Sequence, residues 1–208
     1  MPNPNSPSVR GAERRKTIRR RDTASSLDRL LDGAQATFAD RGYHQANIHE
    51  ICARANVGIG TFYAHFDSKN QLLEHLMVER VVTLPQLLSA DDLADVGALT
   101  ARLREMLDDP VASGLWRAWH DAAAEDPRIG RSQATWRASA LKELTAIVVK
   151  ARRKRPTKTS RVDASVVAWT MMLFARELSI RDRDGAPSIE AVARMIHELA
   201  FGPAGRSV

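Results

Sequence analysis

Apolar residues recur along this chain with helical spacing, and no stretch alternates in the manner of a strand. Leu27, Leu30, Leu31, Ala34 and Phe38 form one stripe, which predicts a first helix over residues 26–40 with Gly42 as its stop. Ile48, Ile51, Cys52 and Ala55 mark the inner face of a short second helix, started by Asn47 and Glu50 in a capping-box pattern. Asn56 tolerates a left-handed turn and Val57 anchors it. After Gly58 a third helix is predicted over residues 59–66, where Phe62 and Phe66 face inward and so turn Tyr63 and His65 elsewhere. A fourth begins at Ser68, with Gln71 completing a second capping pattern, and runs through Leu72, Leu73, Leu76 and Val81 until Pro85 bends or ends it.

Beyond Pro85 the acidic residues 91–95 read as a loop, and Leu99, Leu103 and Met106 mark a helix over residues 96–107. Asp109-Pro110 and Asp126-Pro127 each place a capping Asp before a proline suited to a first helical turn, predicting helices over residues 111–124 and 128–153. Two apolar helices, over residues 160–180 and 188–201, complete the chain. The fold expected is all-α. A small N-terminal three-helix domain would join a larger C-terminal helical domain, with residues 1–25 a disordered basic arm, 26–75 the first domain and 76–208 the second.

Residues 47–69 carry the clearest functional signal. Two short helices meeting over a tight turn make the helix-turn-helix, whose second helix offers its N-terminal side chains to the major groove. In addition, Ile51-Cys52, Ala55-Asn56-Val57, Gly60-Thr61-Phe62-Tyr63, His65-Phe66 and Lys69 followed by Leu72 resemble the signature of TetR-type transcriptional regulators across residues 27–76. Two positions depart from it: Asn56 stands where glycine is usual, and Gly58 where Ser or Thr caps the recognition helix. The resemblance assigns Asn47, Tyr63, His65 and Lys69 to phosphates, with Ile59, Gly60 and Thr61 on the groove floor beside Gly58. Thr61 is the best base reader by chemistry, through its methyl or hydroxyl. Tyr63 has a packing role as its alternative.

Charge changes this picture in one respect. The net charge of +6 is concentrated in the first 25 residues, which hold seven basic and two acidic side chains. Residues 26–75 hold four basic and six acidic ones, so the helix-turn-helix itself is not basic. Its phosphate contacts would come from helix N-termini, hydroxyls, His65 and Lys69, with the arm either entering an adjacent groove or serving only as a solvated tail. A second basic run, residues 150–161, reads as a solvated loop or as a further polyanion contact.

In the second domain Trp116, Trp119, His120 and Ala123 share a helix face, and Trp136, Trp169, Met171, Met172 and Phe174 lie on helices that would pack beside it. Trp116, Trp119, His120, Trp136, Trp169 and Met172 are the candidate ligand-binding residues, with ordinary core packing as the alternative for each. Val166, Trp169 and Leu173, followed by Val192, Met195, Ile196 and Leu199, offer apolar faces for a two-fold homodimer.

No catalytic constellation, metal-ligand spacing or cofactor motif is present, and the single Cys52 permits no disulfide framework. No run approaches the ~20 apolar residues that span a bilayer. Together with the resemblance to TetR-type regulators, this leads us to expect a cytoplasmic homodimer without cofactor that binds double-stranded DNA through an N-terminal helix-turn-helix DNA-binding domain and carries a larger C-terminal helical ligand-binding and dimerisation domain. The resemblance implies a transcriptional repressor released from a palindromic operator by a small apolar or amphipathic effector; the alternative is an effector-independent or architectural DNA binder.

Overall fold

The computed structural model describes residues 9–80, 84–156, 160, 162–180 and 187–203. Among these the chain forms only helices. The first four are α1 (Val9–Gln45), α2 (Ile48–Ala55), α3 (Ile59–Tyr63) and α4 (Lys69–Arg80), followed by the short α5 (Leu84–Leu87) and α6 (Ala90–Leu93). Longer helices complete the fold: α7 (Val96–Leu107), α8 (Pro110–Glu125), α9 (Pro127–Lys154), α10 (Ala164–Ile180) and α11 (Ile189–Phe201).

The expected stops and starts are largely in place. Gly42 has φ 68° and ψ −177° and kinks α1 there. Asp109 Oδ1 accepts from Ala112 N at 3.2 Å, and Asp126 Oδ1 accepts from Arg128 N at 2.8 Å, so both Asp-Pro pairs start helices as predicted. Ser68 Oγ accepts from Gln71 N at 3.2 Å, while the Gln71 side chain reaches one residue further back, to Asp67 N at 2.6 Å.

Four expectations need correction. The backbone from Val9 onward is helical, so α1 reaches into the stretch expected to be a disordered arm; Ala, Glu, Arg and Lys are strong helix formers and need no apolar stripe to propagate a helix already nucleated. The expected disorder of residues 1–8 lies outside the described residues. Residues 91–95 are not simply a loop, because Ser89 and Asp92 form a reciprocal capping box that starts α6.

The basic run is likewise mostly engaged within the chain. Arg152 donates to Ala200 O and Val162 O at 2.8 Å and to Ser160 Oγ at 3.0 Å, tying α9 to the end of α11. Lys154 pairs with Asp91 at 2.8 Å and Arg155 donates to Ala94 O at 2.9 Å. Residues 157–159 and Arg161 lie outside the described residues. Finally, Val192 and Ile196 are buried in the subunit, so α11 does not present them as an outer face.

Packing divides into two apolar clusters. The first joins Leu30, Phe38, Ile51, Phe62, Phe66, Leu72 and Leu76 to Leu115, Trp116, Trp119 and Ile129, so the helix-turn-helix core continues into α8 and α9. The second gathers α6, α7, α10 and α11 against Leu144 and Val148 of α9. Where α1 crosses α8 the backbones nearly touch. A Cβ added at Gly114 would lie 2.7 Å from Ala39 Cα, so glycine is required for this approach.

Candidate nucleic-acid interface and ligand cavity

The turn between α2 and α3 is built by Asn56, whose φ of 51° and ψ of 50° place it in the left-handed region. Its N–H bonds to Ala53 O at 3.2 Å, and Val57 N bonds to Cys52 O at 3.0 Å. The buried Cys52 is raised in pKa by that burial and packs as a small apolar residue. At the front of α2, Asn47 Oδ1 accepts from Glu50 N at 2.9 Å. The reciprocal half of the expected capping box is replaced. The Glu50 carboxylate turns instead to Arg41 at 3.2 Å and Arg54 at 3.4 Å, and Arg54 also holds Asp40 at 2.6 Å.

Gly58 starts α3 in an extended conformation with no side-chain cap. The helix is shorter than predicted and ends at Tyr63, after which His65 N bonds to Phe62 O at 2.9 Å in a tighter turn. Its two faces differ as burial of Phe62 requires. Phe62 is 0% exposed, while Tyr63 is 56% and Ile59 37% exposed. A Cβ at Gly58 or Gly60 would meet nothing within 4 Å, so the start of α3 is open to an approaching surface. Thr61 and His65 are half-buried and Asn47 is exposed.

Lys69 is placed differently from the free phosphate ligand expected. Its ammonium donates to Tyr43 O at 2.6 Å and to Ala46 O at 3.0 Å, and lies 4.0 Å from the centre of the Tyr43 ring. Burial lowers its pKa, opposed by Glu125. The physical reason is the break at Gly42: carbonyls beyond the kink need donors, and the lysine at the start of α4 supplies two.

A cavity of about 400 Å³ opens between α8, α9 and α10. Trp116, His120, Trp136, Trp169 and Met172 all line it, as do Gln133, Arg137, Leu141, Leu173 and Arg176. Rings pack closely on one wall, with Trp116 and Trp136 centred 5.0 Å apart edge to face and His120 stacked 6.3 Å from Trp116. Trp119 is set behind this wall. It is buried and borders a second space of about 270 Å³ that also touches Glu74, Met77 and Val78 of α4. Gln133 bonds to His120 Nδ1 at 3.0 Å and accepts from Arg137 at 3.2 Å. Burial first, and then Arg176 and Arg137, hold the His120 pKa down to about 4.

Residues 30–76 match the family described as bacterial regulatory proteins, tetR family. Residues 30–76 are thus a TetR-family DNA-binding segment. Relatives extend the likeness unevenly. The A-factor receptor protein of Streptomyces griseus is 40% identical over 55 residues, which are 26% of this chain and 20% of that protein. The chain therefore aligns with only a fifth of that relative's length. The regulator BetI of Cronobacter sakazakii is 29% identical over 148 residues, covering 67% of this chain and 72% of BetI. Among solved structures, the regulator FadR of Bacillus subtilis, in complex with stearoyl-CoA, shares the fold at 18% identity and a TM-score of 0.63, covering 86% of this chain and all of that one.

In the C-terminal part of the chain, sequence reasoning missed Gln133, Arg137 and Arg176. Gln133 lies one helical turn before Trp136, and Arg137 follows Trp136 directly, four residues from Gln133, so helical spacing on α9 was the signal available. Asn70 was also missed. It accepts from Tyr43 Oη at 2.8 Å and donates to Asp126 at 2.9 Å, bridging α1, α4 and the start of α9.

Proposed function

We propose that this protein is a sequence-specific transcriptional repressor of TetR type that binds a palindromic operator as a homodimer and is released by a small-molecule effector. The observation that carries the reading is the exposure of Tyr63 and Ile59 beside the fully buried Phe62, on a helix whose start is open to solvent. In this reading Thr61 reads a base edge, Ile59, Gly58 and Gly60 approach the groove floor, and Tyr63, His65 and Asn47 contact phosphates. Lys69 acts as a positioning residue that fixes the end of α1 against α4. Basic side chains ahead of residue 26 supply long-range attraction.

The cavity supports the effector half of the proposal, and so does the stearoyl-CoA held by FadR of the same fold. Trp116 and Trp136 border both spaces, so a ligand that displaces them from the first cavity presses toward α4 through the second. Val166 and Trp169 are 50% and 56% exposed on α10 and form the apolar face a second copy would cover. Trp169 also lines the cavity, so dimer geometry and ligand occupancy share a side chain. By linkage, effector and operator must weaken each other's binding equally. The test is operator binding by the purified protein at rising effector concentration; affinity that never changes with any cavity-binding molecule refutes the repressor-release mechanism.

A further inference from the structure

The larger cavity has an uneven distribution of charge. Its wall contains two guanidinium groups, Arg137 and Arg176, and no carboxylate, and its remaining lining is mainly Trp, Met, Leu and Ala. Neither arginine forms an ion pair with a described carboxylate, and both side chains are exposed at the cavity mouth.

The polar groups beside them are ordered by hydrogen bonds to one another. Arg137 can only donate, so the atom of Gln133 it meets at 3.2 Å is Oε1. The Gln133 amide nitrogen therefore faces His120 and donates to Nδ1 at 3.0 Å, which leaves the ring proton on Nε2. Buried Gln133 thus fixes both neighbours: it steadies one guanidinium and keeps the imidazole a neutral donor. A cation at this end would be repelled, and a neutral molecule would leave the charge of both guanidinium groups unmatched. An anion gains charge-assisted hydrogen bonds from donors already in place.

We propose that this cavity takes a small organic anion, its charged head held between Arg137 and Arg176 and its apolar tail lying among Trp136, Trp169 and Met172. The volume of about 400 Å³ is near the lower end of ligand sites and suits a compact carboxylate with an aromatic or medium alkyl tail. This inference rests on the effector-binding reading above and adds the chemical class.

Tryptophan fluorescence of the full-length protein reports on the site, because three of its four tryptophans line the cavity. Octanoate and phenylacetate are titrated beside the matching neutral probes octanol and phenylethanol, into the natural protein and an Arg137→Gln, Arg176→Gln double variant. Each acid is expected to bind roughly tenfold or more tightly than its neutral partner, and the double variant to lose that preference. Arg137→Lys should keep part of it. Equal affinity for acid and neutral probe, or a preference that survives the double replacement, overturns the anion assignment while leaving an effector cavity. No fluorescence change and no shift in unfolding temperature with any of the four overturns the anion assignment and the cavity reading together.

Discussion

Asn70 and Asp126, one near the start of α4 and the other capping α9, are joined by a 2.9 Å hydrogen bond from the Asn70 amide to Asp126 Oδ2. Because Asp126 Oδ1 caps α9 and Asn70 Oδ1 accepts from Tyr43, the pair connects the helix-turn-helix to the helix that bears Gln133 and Trp136. One residue along the chain from Tyr43 and from Asp126, His44 near the end of α1 lies 3.0 Å from Glu125 at the end of α8. A movement at the start of α9 therefore reaches α4 through contacts with defined geometry.

Replacing Asn70 with Leu should remove the bridge and leave the Asp126 cap intact. We expect a loss of about 1–3 kcal/mol in urea unfolding, the ordinary effect of leaving hydrogen-bonding groups without partners. The effect of ligand on operator affinity should shrink as well. An unchanged coupling between ligand and operator would show that the signal travels by another contact.

Lys69→Met separates positioning from phosphate contact. The variant should unfold more easily by about 1–3 kcal/mol, since the Tyr43 and Ala46 carbonyls lose a charged donor. Its logarithmic dependence of DNA affinity on salt should keep the slope of the natural protein. A slope reduced by about one unit would assign the ammonium to a phosphate.

Gly114→Val tests the close crossing of α1 on α8. A side chain there meets the Ala39 backbone at 2.7 Å, so one helix must shift. Overpacking of this kind costs about 1–3 kcal/mol, to be read as a lowered denaturant midpoint. Full stability would mean that α1 moves away freely.

His120 gives the protein a specific response to acid. Its folded pKa of about 4 lies below the ordinary 6.5, so between these values the unfolded chain binds a proton that the native protein refuses. Its stabilising contribution is complete above about pH 6.5 and is lost as pH falls toward 4. Urea unfolding at pH 7 and pH 5 should show a smaller difference for His120→Asn than for the natural protein. Equal differences would place the protonation elsewhere.

Periodicity alone was enough for the all-helical architecture and for the inward setting of Phe62 and Phe66, because burial repeats every three or four residues whatever the tertiary context. The starts of α8 and α9 were legible for a similar local reason, each being an Asp followed by Pro. Lys69 was not. Its partners are carbonyls 23 and 26 residues away, and their need for a donor arises only from the kink at Gly42. Five of the six proposed ligand residues reach the larger cavity, since α8, α9 and α10 turn those faces together, while Trp119 backs onto the neighbouring space. The basic run misled for the opposite reason: composition counts charges, and only the fold shows that Arg152 lies against the carbonyls at the end of α11.

The central claim is that the exposed side of α3 reads DNA, and selection of bound duplexes from a random pool tests it most directly. Purified protein at low ionic strength should enrich two inverted half-sites, and Thr61→Ala should relax the preference at one position in each half while Tyr63→Phe weakens all sites alike. Failure to enrich any sequence, or selection left unaltered by both substitutions, would contradict the account.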